Sequence, residues 1–98
     1  MNISFVNQGS YKTEFEEEVI TVGEKERVIV LHNDDYNTFD HVINSLVEIC
    51  GHHPEQAEQC AYITHFNGKC DVKKGPEAIL EKMYRKLKLR GLSVTLED

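Results

Sequence analysis

The sequence predicts one α+β domain, a three-stranded antiparallel sheet packed against three helices in the order β-α-α-β-α-β, with a flexible N-terminal extension. Three observations lead there. The chain has 98 residues, enough for one modest core. Three stretches repeat apolar residues at the helical period, and two further stretches are patterned as strands. Three strands need an apolar face covered, and three amphipathic helices supply that cover.

Residues 1–26 are acidic, with six acids against two bases, and their apolar residues are scattered. They are read as the flexible extension, within which Val19-Ile20-Thr21-Val22 has the composition of a short edge strand. The folded core is expected over 27–98. Val28-Ile29-Val30-Leu31 is β-branched and continuously apolar, the pattern of a buried strand. Asn33 to Asn37 is a polar loop. A helix follows from about Thr38 to Cys50, with Phe39, Val42, Ile43, Leu46, Val47 and Cys50 on one face and Gly51 as its stop.

A second helix starts at Pro54, a favoured first position, with Glu55 in its first turn. Ala57, Cys60, Ala61 and Thr64 form its inner stripe. It ends near His65 or Phe66, because Asn67-Gly68 is a turn signal. Lys69 to Val72 is read as a short strand. Gly75-Pro76 is expected to open the third helix, whose stripe is Ile79, Leu80, Met83, Tyr84 and Leu87, with Gly91 at its end. Leu92, Val94 and Leu96 alternate with polar residues, as in a final half-buried strand.

The formal net charge of −6 argues against a nucleic-acid protein. Five cations cluster between Lys82 and Arg90, which reads as a solvated helix face with cations near its C-terminus. No apolar run has the length of a membrane span or a signal peptide, so the expected setting is the cytoplasm. Cys50, Cys60 and Cys70 are an odd set without Cys-x-x-Cys, and buried free thiols are expected.

The loop Asn33-Asp34-Asp35 carries two adjacent carboxylates between a buried strand and a helix. Capping accounts for Asn37, Thr38 and Asp40 near the helix start, but less well for Asp34 and Asp35, which lie upstream. A magnesium site of receiver-domain type would need further βαβ units, and the pattern does not show them. Cys50, His52 and His53 lack a second ligand pair at metal-binding spacing. No Ser-His-Asp or Cys-His arrangement and no glycine-rich phosphate loop is identifiable. No catalytic residue, metal or cofactor is therefore expected.

The run Val28-Ile29-Val30-Leu31-His32-Asn33-Asp34-Asp35-Tyr36 resembles the signature of the ClpS family of protease adaptors, an apolar strand followed by Asn-Asp-Asp-Tyr-Thr-Pro-Met. The similarity continues through Pro54-Glu55-Gln56-Ala57, through His65-Phe66-Asn67-Gly68-Lys69, and ends in Thr95-Leu96-Glu97. It covers roughly residues 27–98. The resemblance implies a monomeric, non-enzymatic adaptor. Such a protein binds the free N-terminal residue of substrate proteins (Leu, Phe, Tyr or Trp) and delivers them to a Clp AAA+ unfoldase, ClpA-like or ClpC-like, partnered with ClpP.

By the same resemblance, Asn33, Asp34 and His65 would accept from the substrate ammonium. Asp35 would order the loop and contact the substrate backbone. Asn37, Phe39, Val42, Ala61, Thr64 and Leu92 would form the side-chain pocket, and Glu77 and Lys82 would face the unfoldase. The chain departs from the family pattern within the pocket. Asn37 stands for Thr, Thr38 for Pro, Phe39 and Ala61 each for Met, and Thr64 for Val. Two other readings stay open on the residues alone. One is an interaction module of this fold with a non-N-terminal ligand, as in ribosomal stalk-protein C-terminal domains. The other is a small hydrolase using Asp34, Asp35 and His65.

Overall fold

A computed structural model describes residues 25–98. The expected extension over 1–26, apart from its last two residues, and the strand at Val19–Val22 lie outside the described residues. The elements follow the expected order: β1 (Glu26–His32), α1 (Phe39–Cys50), α2 (Pro54–Asn67), β2 (Lys69–Pro76), α3 (Glu77–Leu89) and β3 (Val94–Glu97). The sheet order is β2-β1-β3, and the central β1 is antiparallel to both neighbours.

Three consecutive residues of β1, Ile29, Val30 and Leu31, are buried, as befits the middle strand of the sheet. Ile29 and Leu31 share one face and join Leu46, Cys50, Ala57, Cys60, Leu80, Leu87, Leu92 and Val94 in the core. Burying each large apolar side chain contributes about 1.5–3 kcal/mol, so this cluster is the main source of stability. Arg27 ties the far end of the sheet together. Its guanidinium donates to the carbonyls of Leu96 and Glu97 and pairs with Glu77 at 3.3 Å.

Caps set the helix ends. The Thr38 hydroxyl accepts from the His41 N–H at 3.1 Å and starts α1. Gly51 ends it in the left-handed region, with φ 73°. Pro54 opens α2, which runs one residue past the expected end, to Asn67.

The segment before α3 differs from expectation. The strand read over Lys69–Val72 continues to Pro76. Gly75 pairs with Arg27 and Pro76 with Glu26, so α3 opens at Glu77 rather than at Gly75-Pro76. A β-bulge absorbs the extra length: Ile29 pairs with Lys73 and Val30 with Asp71, which leaves Val72 over and drops it into the core. Proline is tolerated here because it sits at the end of an edge strand.

Candidate functional site

The site forms where the central strand runs out. Beyond β1 the backbone stays anchored on both sides. The His32 N–H donates to the Ser93 carbonyl at 2.7 Å, and the Asn33 N–H to the Gly68 carbonyl at 2.9 Å. Gly68 also caps α2, its N–H bonding to the Thr64 carbonyl at 2.9 Å. It has φ 96°, a conformation that side-chain-bearing residues rarely adopt. One glycine thus brings the end of α2, with Thr64 and His65, against the loop that carries Asn33 to Asn37.

Asp34 organises that loop. Its Oδ1 accepts from the backbone N–H groups of Tyr36 and Asn37, both at 2.9 Å. Its Oδ2 accepts from the Asn37 side-chain amide at 2.7 Å and from the Ser93 hydroxyl at 2.6 Å. Burial works against the charge, but these hydrogen bonds, Ser93 first and then Asn37 and Tyr36, outweigh it. The pKa is lowered from the ordinary 3.8 to about 2. Asn37 spends its second amide hydrogen on the Gly91 carbonyl at 3.1 Å. Asp35 is exposed and takes no part in this set.

Beside the loop lies a cavity of about 230 Å³, lined by Leu31, His32, Asn33, Asp34, Asp35, Asn37, Phe39, Val42, Ala61, Thr64 and His65. Drug-sized ligands occupy sites of about 300–1,000 Å³, so this one suits a single side chain. Its walls divide by chemistry. Phe39, Val42, Ala61 and Leu31 are apolar. Thr64 adds to them, because its hydroxyl is spent on the Cys60 carbonyl at 2.8 Å. The remaining lining is rich in acceptors, with Asn33, two carboxylates and His65.

Four rings gather on one side of this cavity. Phe39 lies 5.0 Å from Tyr62 and 5.4 Å from His65, centroid to centroid. Phe66 closes the circuit, 4.9 Å from His65 and 6.3 Å from Tyr62.

Comparison with known proteins decides the family. The profile of the family described as ATP-dependent Clp protease adaptor protein ClpS matches residues 23–95. The chain belongs to the ClpS family. The ATP-dependent Clp protease adapter protein ClpS of Synechocystis sp. (strain ATCC 27184 / PCC 6803 / Kazusa) is 38% identical over 69 residues, which span 69% of each chain. Among solved structures, Agrobacterium tumefaciens ClpS2 bound to L-phenylalaninamide superposes with a TM-score of 0.69 at 22% identity. The match covers 74% of this chain and 95% of that one, and it is a likeness of fold. ClpS proteins are adaptors of the Clp protease system and not proteases themselves.

Within this ClpS fold, eight of the nine residues read from the sequence as ammonium or pocket residues line one cavity. Leu92 is the exception. It is buried in the core and absent from the lining. Leu31 and His32 line the cavity without having been anticipated. The sequence marks Leu31 only as part of the continuous apolar run of a buried strand, and His32 only as part of the run that carries the family resemblance. Ser93 and Gly68 hold the loop through partners 59 and 35 residues away in sequence, so nothing local signals these contacts, although Asn67-Gly68 reads as a turn.

The two residues expected to face the unfoldase lie apart on α3. Glu77 is engaged by Arg27, whereas Lys82 is exposed five residues on, roughly 140° around the helix. The Cys50-x-His52-His53 run does not converge either. His52 is buried with Nε2 on the Val72 carbonyl at 2.6 Å, and His53 is exposed. All three cysteines are free thiols, Cys50 and Cys60 buried as expected and Cys70 half-buried. Burial raises the pKa of Cys50 to about 11 and that of Cys60 to about 12. Among the described residues no helix is long and apolar enough to cross a membrane.

Proposed function

We propose that this ClpS binds the free N-terminal residue of substrate proteins, a large hydrophobic one (Leu, Phe, Tyr or Trp). It then passes them in the cytoplasm to a Clp AAA+ unfoldase, ClpA-like or ClpC-like, with its ClpP peptidase. One observation carries the reading: a cavity sized for one side chain has apolar walls on one side and a cluster of hydrogen-bond acceptors on the other. An N-terminal residue is the common ligand with that polarity. Its ammonium brings three donors and its side chain the apolar bulk. L-phenylalaninamide, the ligand of the structurally similar Agrobacterium ClpS2, has the same two ends.

The roles follow from which acceptors the fold leaves open. Both oxygens of Asp34 are engaged by the loop, so Asp34 acts by holding its neighbours in place and by keeping a negative charge close. The proposal differs here from what the resemblance implies, in which Asp34 accepts from the ammonium and Asp35 orders the loop and contacts the substrate backbone. Asp35, Asn33 through its side-chain carbonyl, and neutral His65 are the direct acceptors. Phe39, Val42, Ala61, Thr64 and Leu31 receive the side chain, with Leu92 supporting them from the core. Charge-assisted hydrogen bonds contribute about 1.5–3 kcal/mol each, and burying a Leu or Phe adds about 1.5–3 kcal/mol. Association costs at least ~4 kcal/mol, so affinities no tighter than about micromolar are expected, weak enough for a delivery factor to release its cargo.

Fluorescence anisotropy with peptides beginning in Phe, Leu, Tyr, Trp, Ile or Arg, each free and N-acetylated, tests this directly. The large hydrophobic set binds only when the amine is free. Equal binding of the acetylated forms overturns the proposal.

A further inference from the structure

Tyr62 and Phe66 have no task in the site as described. Neither lines the cavity, and they remain 46% and 75% exposed on the outer face of α2. They lie one helical turn apart with their rings within 7° of parallel. Large exposed apolar groups in contact with one another mark binding surfaces more often than idle ones. Here the patch is continuous with the cavity, because Phe39 and His65 belong both to the lining and to the ring circuit.

We propose that Tyr62 and Phe66 form a second subsite, an aromatic ledge that takes apolar side chains from the second or third position of the bound N-terminus. The inference rests on the N-terminal-residue reading of the cavity and extends it along the substrate chain. Dimensions support this occupant. In an extended chain the third residue lies about 6.6 Å beyond the first. The ledge begins at rings that wall the cavity and reaches 5.0 Å from Phe39 to Tyr62 and 4.9 Å from His65 to Phe66. A chain anchored by its amine and leaving the cavity on the side of Phe39 and His65 carries its next side chains within reach of these rings. Partial burial of one aliphatic side chain against them corresponds to about a five- to tenfold gain in affinity.

The test compares free-amine peptides Phe-Leu-Leu and Phe-Ser-Ser, each followed by the same polar sequence, on the full chain and on Phe66→Ser and Tyr62→Ser. The wild type is expected to prefer the Leu-Leu peptide five- to tenfold, and either substitution to reduce that preference below about twofold. Both variants should keep the loss of binding on N-acetylation, and circular dichroism should show unchanged melting, since the positions are exposed. A wild type indifferent to positions two and three overturns the ledge, as does a preference that survives both substitutions. Concentration-dependent dimers abolished by Phe66→Ser would assign the ledge to a second copy of the chain. Impaired substrate delivery with the peptide preference intact would assign it to the unfoldase. Either result overturns the proposal. Binding of acetylated peptides by the wild type would instead bring down the underlying reading of the cavity, a separate outcome.

Discussion

Replacing Asp34 by asparagine tests whether the loop is held by a charge. The substitution keeps the shape but places an amide nitrogen opposite the Asn37 amide, donor against donor, and removes the charge that four hydrogen bonds support. The lowered pKa sets the scale. A fall from 3.8 to about 2 is nearly two units, and at 1.36 kcal/mol per unit the ceiling is about 2.5 kcal/mol. Partial exposure to solvent reduces it, so a loss of about 1–2 kcal/mol at pH 7 is expected. In a domain this size that lowers Tm by roughly 6–12 °C.

The pH dependence of that loss is the sharper reading. A carboxylate with a depressed pKa stabilises the fold fully above its ordinary value of 3.8, and the contribution disappears as pH falls through about 2. The gap between wild type and Asp34→Asn should therefore be constant from pH 7 to about 5, shrink to about half near pH 3, and close below that. The chain contains no tryptophan, so urea denaturation is followed by circular dichroism at each pH. A gap that stays the same from pH 7 to pH 2.5 refutes the electrostatic account and leaves only shape.

Three further outcomes are expected. Asp35→Asn and His65→Ala should each weaken binding of a free Phe peptide about 10- to 100-fold, as loss of one charge-assisted bond implies, while leaving the melting temperature within about 2 °C; anisotropy and a thermal melt on the same samples check both. Gly68→Ala should cost about 1–2 kcal/mol in urea denaturation through backbone strain alone, because open space surrounds the position where its Cβ would sit. Ala61→Met should narrow the cavity and weaken Trp and Phe peptides more than Leu peptides in competition anisotropy, since Ala61 is buried against it.

The parts of the fold that could be read from the sequence are those whose information is local. Amphipathic spacing marks α1 and α3, and Pro54 and Gly51 place the boundary between α1 and α2 to the residue. The length of β2 could not be read. Lys73 and Lys74 have no strand pattern, and Gly75-Pro76 looks like punctuation. Their strand conformation comes from pairing with Ile29, Val28, Arg27 and Glu26 beyond a bulge. At the candidate site, the Asn33-Asp34-Asp35 run and His65, which line one cavity, stand out in the sequence, whereas the hydrogen bonding that occupies Asp34 does not. It depends on Ser93, which comes into contact only once β3 lies beside β1. The same holds for Leu92, which the completed core takes in.

Gly68 has a mechanical consequence. It bonds to Thr64 through its N–H and to Asn33 through its carbonyl, so the helix end and the strand end share one coupler. Both rims of the cavity, the end of α2 with His65 and the loop with Asn33, are thereby tied to one residue. The ordering entropy of the site is therefore spent during folding and not at each encounter. On the reading proposed above, capture of an N-terminal residue needs no closing motion. On the same reading, release then rests on weak binding rather than on an opening of the site.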